Sequence, residues 1–122
     1  MMKITADTNI ILRYLLADDP VQTESGRSLI KEAEQVVIPL PVLYEVTWVL
    51  ARGYKLDSHD IADALQALVA SHKVQVMQSA VNAGLSLLRA GGDFADGAIA
   101  QEGLTMGADL FATFDRKAAK LL

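Results

Sequence analysis

The chain has 122 residues, 52% of them hydrophobic and 21% charged, with a net charge of −4. That length suits one domain spanning 1–122, and the apolar content excludes intrinsic disorder. With no cysteine and two histidines, His59 and His72, a disulfide framework, a thiol nucleophile and a histidine-rich zinc centre are excluded as well.

The elements alternate. Lys3 to Ala6 reads as a short strand ending at Asp7. Ile10 to Leu16 reads as an apolar helix, and Asp18-Asp19-Pro20 opens a second over Val21 to Ala33. Gln35 to Ile38 is the next strand, closed by Pro39. Pro41 suits a first helical position, and Val42 to Arg52 continues as a helix to Gly53. Ser58 would cap a helix from His59 to about Ser71. A third strand follows over Val74 to Met77. Ser79 would cap a helix ending near Ala90, before Gly91-Gly92. Asp93 opens another that ends near Gly107. Leu110 to Phe114 reads as a fourth strand ending at Asp115, and Lys117 to Leu122 as a short last helix.

Strands alternating with helices imply parallel pairing, hence a three-layer α/β/α sandwich. Ligands of such sheets bind beyond the carboxyl ends of the strands, where Asp7 and Asp115 would both project. The N-terminal stretch lacks a signal-peptide core and no apolar run is long enough to span a bilayer. A cytoplasmic location with no membrane partner is the expectation.

Five acids stand out. Asp7, in Asp7-Thr8-Asn9, could equally serve as a helix cap. Glu45 is the one charged residue in an apolar stretch from Val42 to Leu50. Burial of that helix would require a cation or an arginine partner such as Arg13 or Arg52; the alternative is that Glu45 lies on a local exposed stripe. Asp93 and Asp96 share a helix face, with Asp93 suited to cap it and Asp96 followed by the small residues Gly97 and Ala98. Asp115 could open a turn. Together, Asp7, Glu45, Asp96 and Asp115 form a constellation that a divalent cation would reconcile. All-oxygen ligation selects Mg²⁺ or Mn²⁺, ions whose usual work is phosphoryl chemistry. His59 and His72 are expected at the surface, and Tyr44 and Trp48 in the core. Gly91-Gly92 has no phosphate-loop context.

Ala6-Asp7-Thr8-Asn9, Pro41-Val42-Leu43-Tyr44-Glu45, Asp93-Phe94-Ala95-Asp96-Gly97-Ala98-Ile99-Ala100 and Thr113-Phe114-Asp115 occur in an order and spacing that resemble the PIN-domain nucleases, and within them the VapC-type toxins of toxin–antitoxin pairs. The resemblance covers nearly the whole chain. It implies a PIN-like α/β/α sandwich with a central, mostly parallel sheet of four or five strands, the fifth short or missing because the sequence ends soon after Asp115. It implies an acidic pocket that binds Mg²⁺ or Mn²⁺ and hydrolyses RNA, leaving 5′-phosphate and 3′-hydroxyl ends. On that likeness Asp7, Glu45, Asp96 and Asp115 are the catalytic and metal-binding acids. Asp93 is an outer metal ligand, and Asn9 and Thr113 are supporting polar residues. A small antitoxin whose tail crosses the acidic groove and a homodimer are the implied partners. A catalytically weak PIN-like RNA-binding module and a metal-dependent phosphatase are the rivals. A haloacid-type phosphatase would carry a second aspartate where this chain has Asn9.

Overall fold

Val36 has no exposed surface, because the strand that carries it lies between two others. The computed structural model describes residues 2–16 and 20–122. The expected start of the second helix at Asp18-Asp19 lies outside the described residues.

Strand β1 (Lys3–Thr5) pairs in parallel with β2 (Gln35–Val37), and β2 with β3 (Val74–Gln75). Ile4 lies opposite Val36, and Val36 opposite Val74. The ladders run past the strand ends: Ala6 N–H donates to the Val37 carbonyl and Ile38 N–H to that of Gln75, both at 3.0 Å. Parallel neighbours require crossover connections. Helices α1 (Thr8–Leu15) and α2 (Pro20–Glu32) supply the first, and α3 (Leu40–Arg52) and α4 (Ser58–Val69) the second. Three further helices follow: α5 (Gln78–Arg89), α6 (Phe94–Thr105) and α7 (Arg116–Leu121).

The expected class is therefore observed: the chain is mixed α/β, mostly helical, around a parallel sheet. The strand count differs. Among the described residues the sheet has three strands in the order β1-β2-β3, not four or five. Leu110 to Phe114, expected as the fourth strand, is irregular, with Leu110 86% exposed. Strand propensity reports how well a side chain fits a pleated, half-covered surface, and this run meets no neighbouring strand. Local bonds engage its end instead. Thr113 Oγ1 accepts the Asp115 N–H at 3.0 Å, and Asp115 turns the backbone into α7. Side-chain bonds of this kind compete with sheet ladders.

Two caps also shift. Asp57, not Ser58, caps α4, accepting from the His59 and Asp60 N–H groups. Helix α5 begins at Gln78 without a side-chain cap, so Ser79 lies inside it.

The core gathers Ile11, Val36, Ile38, Leu43, Val46, Ile61, Leu65 and Phe94. Phe94 is 1% exposed, and burying such a ring stabilises by roughly 1.5–3 kcal/mol. Its anchorage fixes the start of α6. Helices α5 and α6 pack closely where Gly84 faces the Phe94 ring and Gly97 faces the Ala83 carbonyl. Among the described residues, no helix is long and apolar enough to cross a membrane.

Candidate active site

Asp7 stands just past β1, at the carboxyl edge of the sheet. Its Oδ1 accepts the Ile10 N–H at 3.0 Å and so caps α1. Asn9 lies exposed in the first turn of that helix. Thr8, between them in sequence, donates from Oγ1 to Glu45 Oε1 at 2.8 Å. This contact joins the segment after β1 to α3.

Glu45 is exposed, which corrects the expectation of a buried carboxylate. Helix α3 buries Leu43, Val46, Thr47 and Leu50. Its other face holds Glu45 and Trp48, spaced so as to be neighbours on a helix surface. Trp48 is 63% exposed and is not a core residue. Tyr44 is half-buried, packed against the core as expected, and both histidines are exposed as expected.

A second group forms where α6 and α7 begin. Asp93 occupies the N-cap position of α6, yet its side chain makes no capping bond. Asp96 sits in the first turn, half-buried. Asp115 Oδ1 accepts from Lys117 N–H at 2.9 Å and Ala118 N–H at 3.0 Å, capping α7. The Asp96 carboxyl is raised above its ordinary value by burial first, then by the charges of Asp93 and Asp115. The positive end of α6 favours the charged form. Burial and repulsion outweigh it here, so Asp96 lies within electrostatic reach of both Asp93 and Asp115.

One aromatic contact links the groups. Tyr44, next to Glu45, meets Phe94, between Asp93 and Asp96, edge-on with ring centroids 6.1 Å apart and planes at 62°. The structure thus joins Thr8 to Glu45 beside Asp7, and Asp93 to Asp96 and Asp115. Among the described residues, no three carboxylates or histidines stand together closely enough to hold a metal ion in their present rotamers. The donor chemistry nevertheless fits a hard divalent cation. All the candidates are oxygen donors, and the repulsion at Asp96 is what a cation would relieve.

Thr8 carries a side-chain bond between the two segments, and its sequence position alone gave it no role of its own. Its position directly after Asp7, in a helix's first turn, was the available signal. Glu102, which lies beside the Tyr44 hydroxyl, carried no signal at all.

Acids stand past the end of a parallel strand and at nearby helix starts of an α/β domain. Residues 4–121 match the PIN domain, and the chain belongs to that family. PIN domains are generally metal-dependent nucleases, so a hydrolytic nuclease is the class to which this chain is assigned. No curated protein matches the chain as a relative.

Proposed function

We propose that the chain is a metal-dependent endoribonuclease, the toxin of a toxin–antitoxin pair, acting as one domain in the cytoplasm. The observation that carries this reading is the grouping of Asp93, Asp96 and Asp115, where burial first and then the other two charges raise the Asp96 carboxyl, in a chain that belongs to the PIN family. Asp7, Glu45, Asp96 and Asp115 would hold Mg²⁺ or Mn²⁺, with Asp93 as an outer ligand and Asn9 and Thr113 in support. When bound, the ion would supply Lewis-acid polarisation of the phosphate and a water nucleophile at neutral pH.

The chain's own residues have distinct parts in this scheme. Thr8 fixes one Glu45 oxygen and so sets the direction of the carboxylate. Asp7 is oriented by its cap bond to Ile10. Thr113 holds the backbone of Asp115, and Asp115 is braced by two N–H groups of α7. These bonds limit the rotamer search needed to close the ligand set around an ion.

The test is incubation with total RNA in Mg²⁺ or Mn²⁺, followed by sequencing of the cut ends. Internal cuts that need the ion, vanish with EDTA and leave 5′-phosphates agree with the reading. RNA retention without cutting under every divalent ion would leave a binding module. Release of phosphate from small monoesters without RNA cleavage would point to a phosphatase.

Thr8→Val should lower cleavage by about tenfold, the low end of effects from residues that orient metal ligands. Because the site is open to solvent, stability should stay within about 0.5 kcal/mol. Thr8→Ser, which keeps the hydroxyl, should restore activity. Unchanged cleavage in Thr8→Val would remove Thr8 from the machinery.

Two partners belong to the same proposal. One is a small antitoxin whose basic side chain reaches the acids in place of the metal. The other is a second copy of the chain, docked through apolar surface on the helices after β1 and β2, where Trp48 and Leu29 are exposed. Light scattering at high micromolar concentration should give a dimer mass, and a strictly monomeric chain would sink that part.

A further inference from the structure

A cavity of about 600 Å³ opens beyond the carboxyl ends of β2 and β3. That is within the roughly 300–1,000 Å³ typical of ligand pockets. Its walls are mainly apolar, with Pro39 and Pro41 on one side and Val76 and Met77 on another. Three polar residues line it as well, Tyr44, Gln75 and Glu102. None of the candidate catalytic acids lines it.

Two of them, Tyr44 and Glu102, are at least partly covered. The Tyr44 hydroxyl is buried and makes no hydrogen bond of good geometry. Glu102 is half-buried, and among the described residues it makes no ion pair. A partly covered carboxylate in the same cavity as a buried hydroxyl that lacks a good partner is an incomplete polar arrangement. A carboxylate only accepts, so a ligand seated against Glu102 must bring donors on an otherwise largely apolar body.

On a single RNA strand, the bases are the groups of that description. Guanine places two adjacent donors, N1–H and the N2 amino group, opposite a carboxylate, which can accept both. Adenine and cytosine offer one amino group beside a ring acceptor that a carboxylate would repel. Uracil offers one N–H between two carbonyls. With a net charge of −4, the chain gains little from bulk attraction to phosphate. A base pocket would supply grip that charge does not. Tyr44 belongs to both places, since it lines the cavity, precedes Glu45 and touches Phe94.

We propose that this cavity is a guanine subsite for single-stranded RNA, in which Glu102 accepts from N1–H and N2–H while Tyr44 orients the Glu102 carboxylate. The proposal rests on the ribonuclease reading above for its biological use, but its test does not. The full-length chain, in EDTA, is titrated with GMP, AMP, CMP and UMP while the Met77 methyl resonance is followed. GMP should shift it and bind at least tenfold more tightly than the others. Glu102→Gln should weaken GMP at least tenfold and erase the preference, because the amide presents a donor to guanine's donors. Tyr44→Phe should weaken GMP less, and the folded state of each variant is checked in the same spectra. Equal response to all four nucleotides, or preference unchanged in Glu102→Gln, overturns the subsite. A shift with indole but with no nucleotide would mark a seat for an apolar protein side chain and overturn it too. Preferential GMP binding without RNA cleavage in Mg²⁺ or Mn²⁺ would keep the subsite and refute the ribonuclease reading instead. Where cleavage occurs, guanine should be enriched at one position beside the cut, and Glu102→Gln should remove that enrichment.

Discussion

Asp96→Asn should abolish RNA cleavage and raise the melting temperature of the metal-free protein. Both effects come from one fact: the folded chain raises the Asp96 carboxyl through burial, Asp93 and Asp115. A carboxyl raised on folding contributes stability that is complete below its unfolded value and is lost as pH rises through its folded value. At neutral pH, therefore, the ionised Asp96 works against the fold. The amide carries no charge to be repelled or desolvated, so the variant should melt higher in EDTA at pH 7, by on the order of a few degrees. The difference should close as pH falls below the ordinary carboxylate value of 3.8, where Asp96 is protonated in both states. Cleavage should fall by on the order of 100-fold or more, since a neutral amide offers a cation far less than a carboxylate does. Thermal unfolding across pH in EDTA, paired with cleavage in Mg²⁺, measures both. A large drop in melting temperature would mean that Asp96 serves the α6 N-terminus instead. Wild-type cleavage would remove it from the catalytic set.

The same carboxylate marks how far the sequence could be read. Asp7, Asp96 and Asp115 attract notice because each follows or opens an element, and element ends are where short polar residues have a job. Two of them do have that job: Asp7 caps α1 and Asp115 caps α7. A cap and a ligand look alike in a sequence, and only the repulsion at Asp96 adds a second kind of information. The first three strands are legible from their β-branched runs between turn signals. Leu110 to Phe114 carries a similar run, yet it forms no strand, because propensity does not say whether a neighbour is present. In α3, composition misleads in another way. Counting apolar residues from Val42 to Leu50 suggests burial all round. The helix in fact exposes a face that carries Trp48 and Glu45. Thr8 and Glu102 were illegible for a third reason. Each gains its meaning from a residue distant in sequence: Glu45 for the first, Tyr44 for the second.

The small residues after Asp96 lead to the second large effect. Gly97→Ala should destabilise the chain, and Gly103→Ala, in the same helix, should stabilise it. Both substitutions gain helix propensity, about 1 kcal/mol in a helix interior. What differs is the space. A Cβ on Gly97 would lie 2.6 Å from the Ala83 carbonyl oxygen and 2.9 Å from Leu87 Cβ, across the α5–α6 contact. The first of these is backbone and cannot swing aside, so α6 must move away from α5. Overpacking of this kind costs about 1–3 kcal/mol, and a rigid carbonyl at that distance puts the cost at the upper end. The net expectation is a loss of roughly 2 kcal/mol after the propensity gain. A Cβ on Gly103 would meet only Ala108 Cβ, at 3.9 Å, an ordinary contact. There the propensity gain stands alone, at roughly 0.5–1 kcal/mol. The displacement also reaches the site, because Asp93 and Asp96 travel with the start of α6 while Thr8 and Glu45 do not. A shift near 1 Å in a catalytic group can lower a rate by about 100-fold. Cleavage by Gly97→Ala should therefore fall well beyond its loss of folded population, measured in conditions where both proteins are folded. Urea midpoints for the two variants decide the structural half. Equal midpoints for Gly97→Ala and the parent would mean that α5 and α6 can part without penalty, and the close approach at Gly97 would not be what positions Asp96.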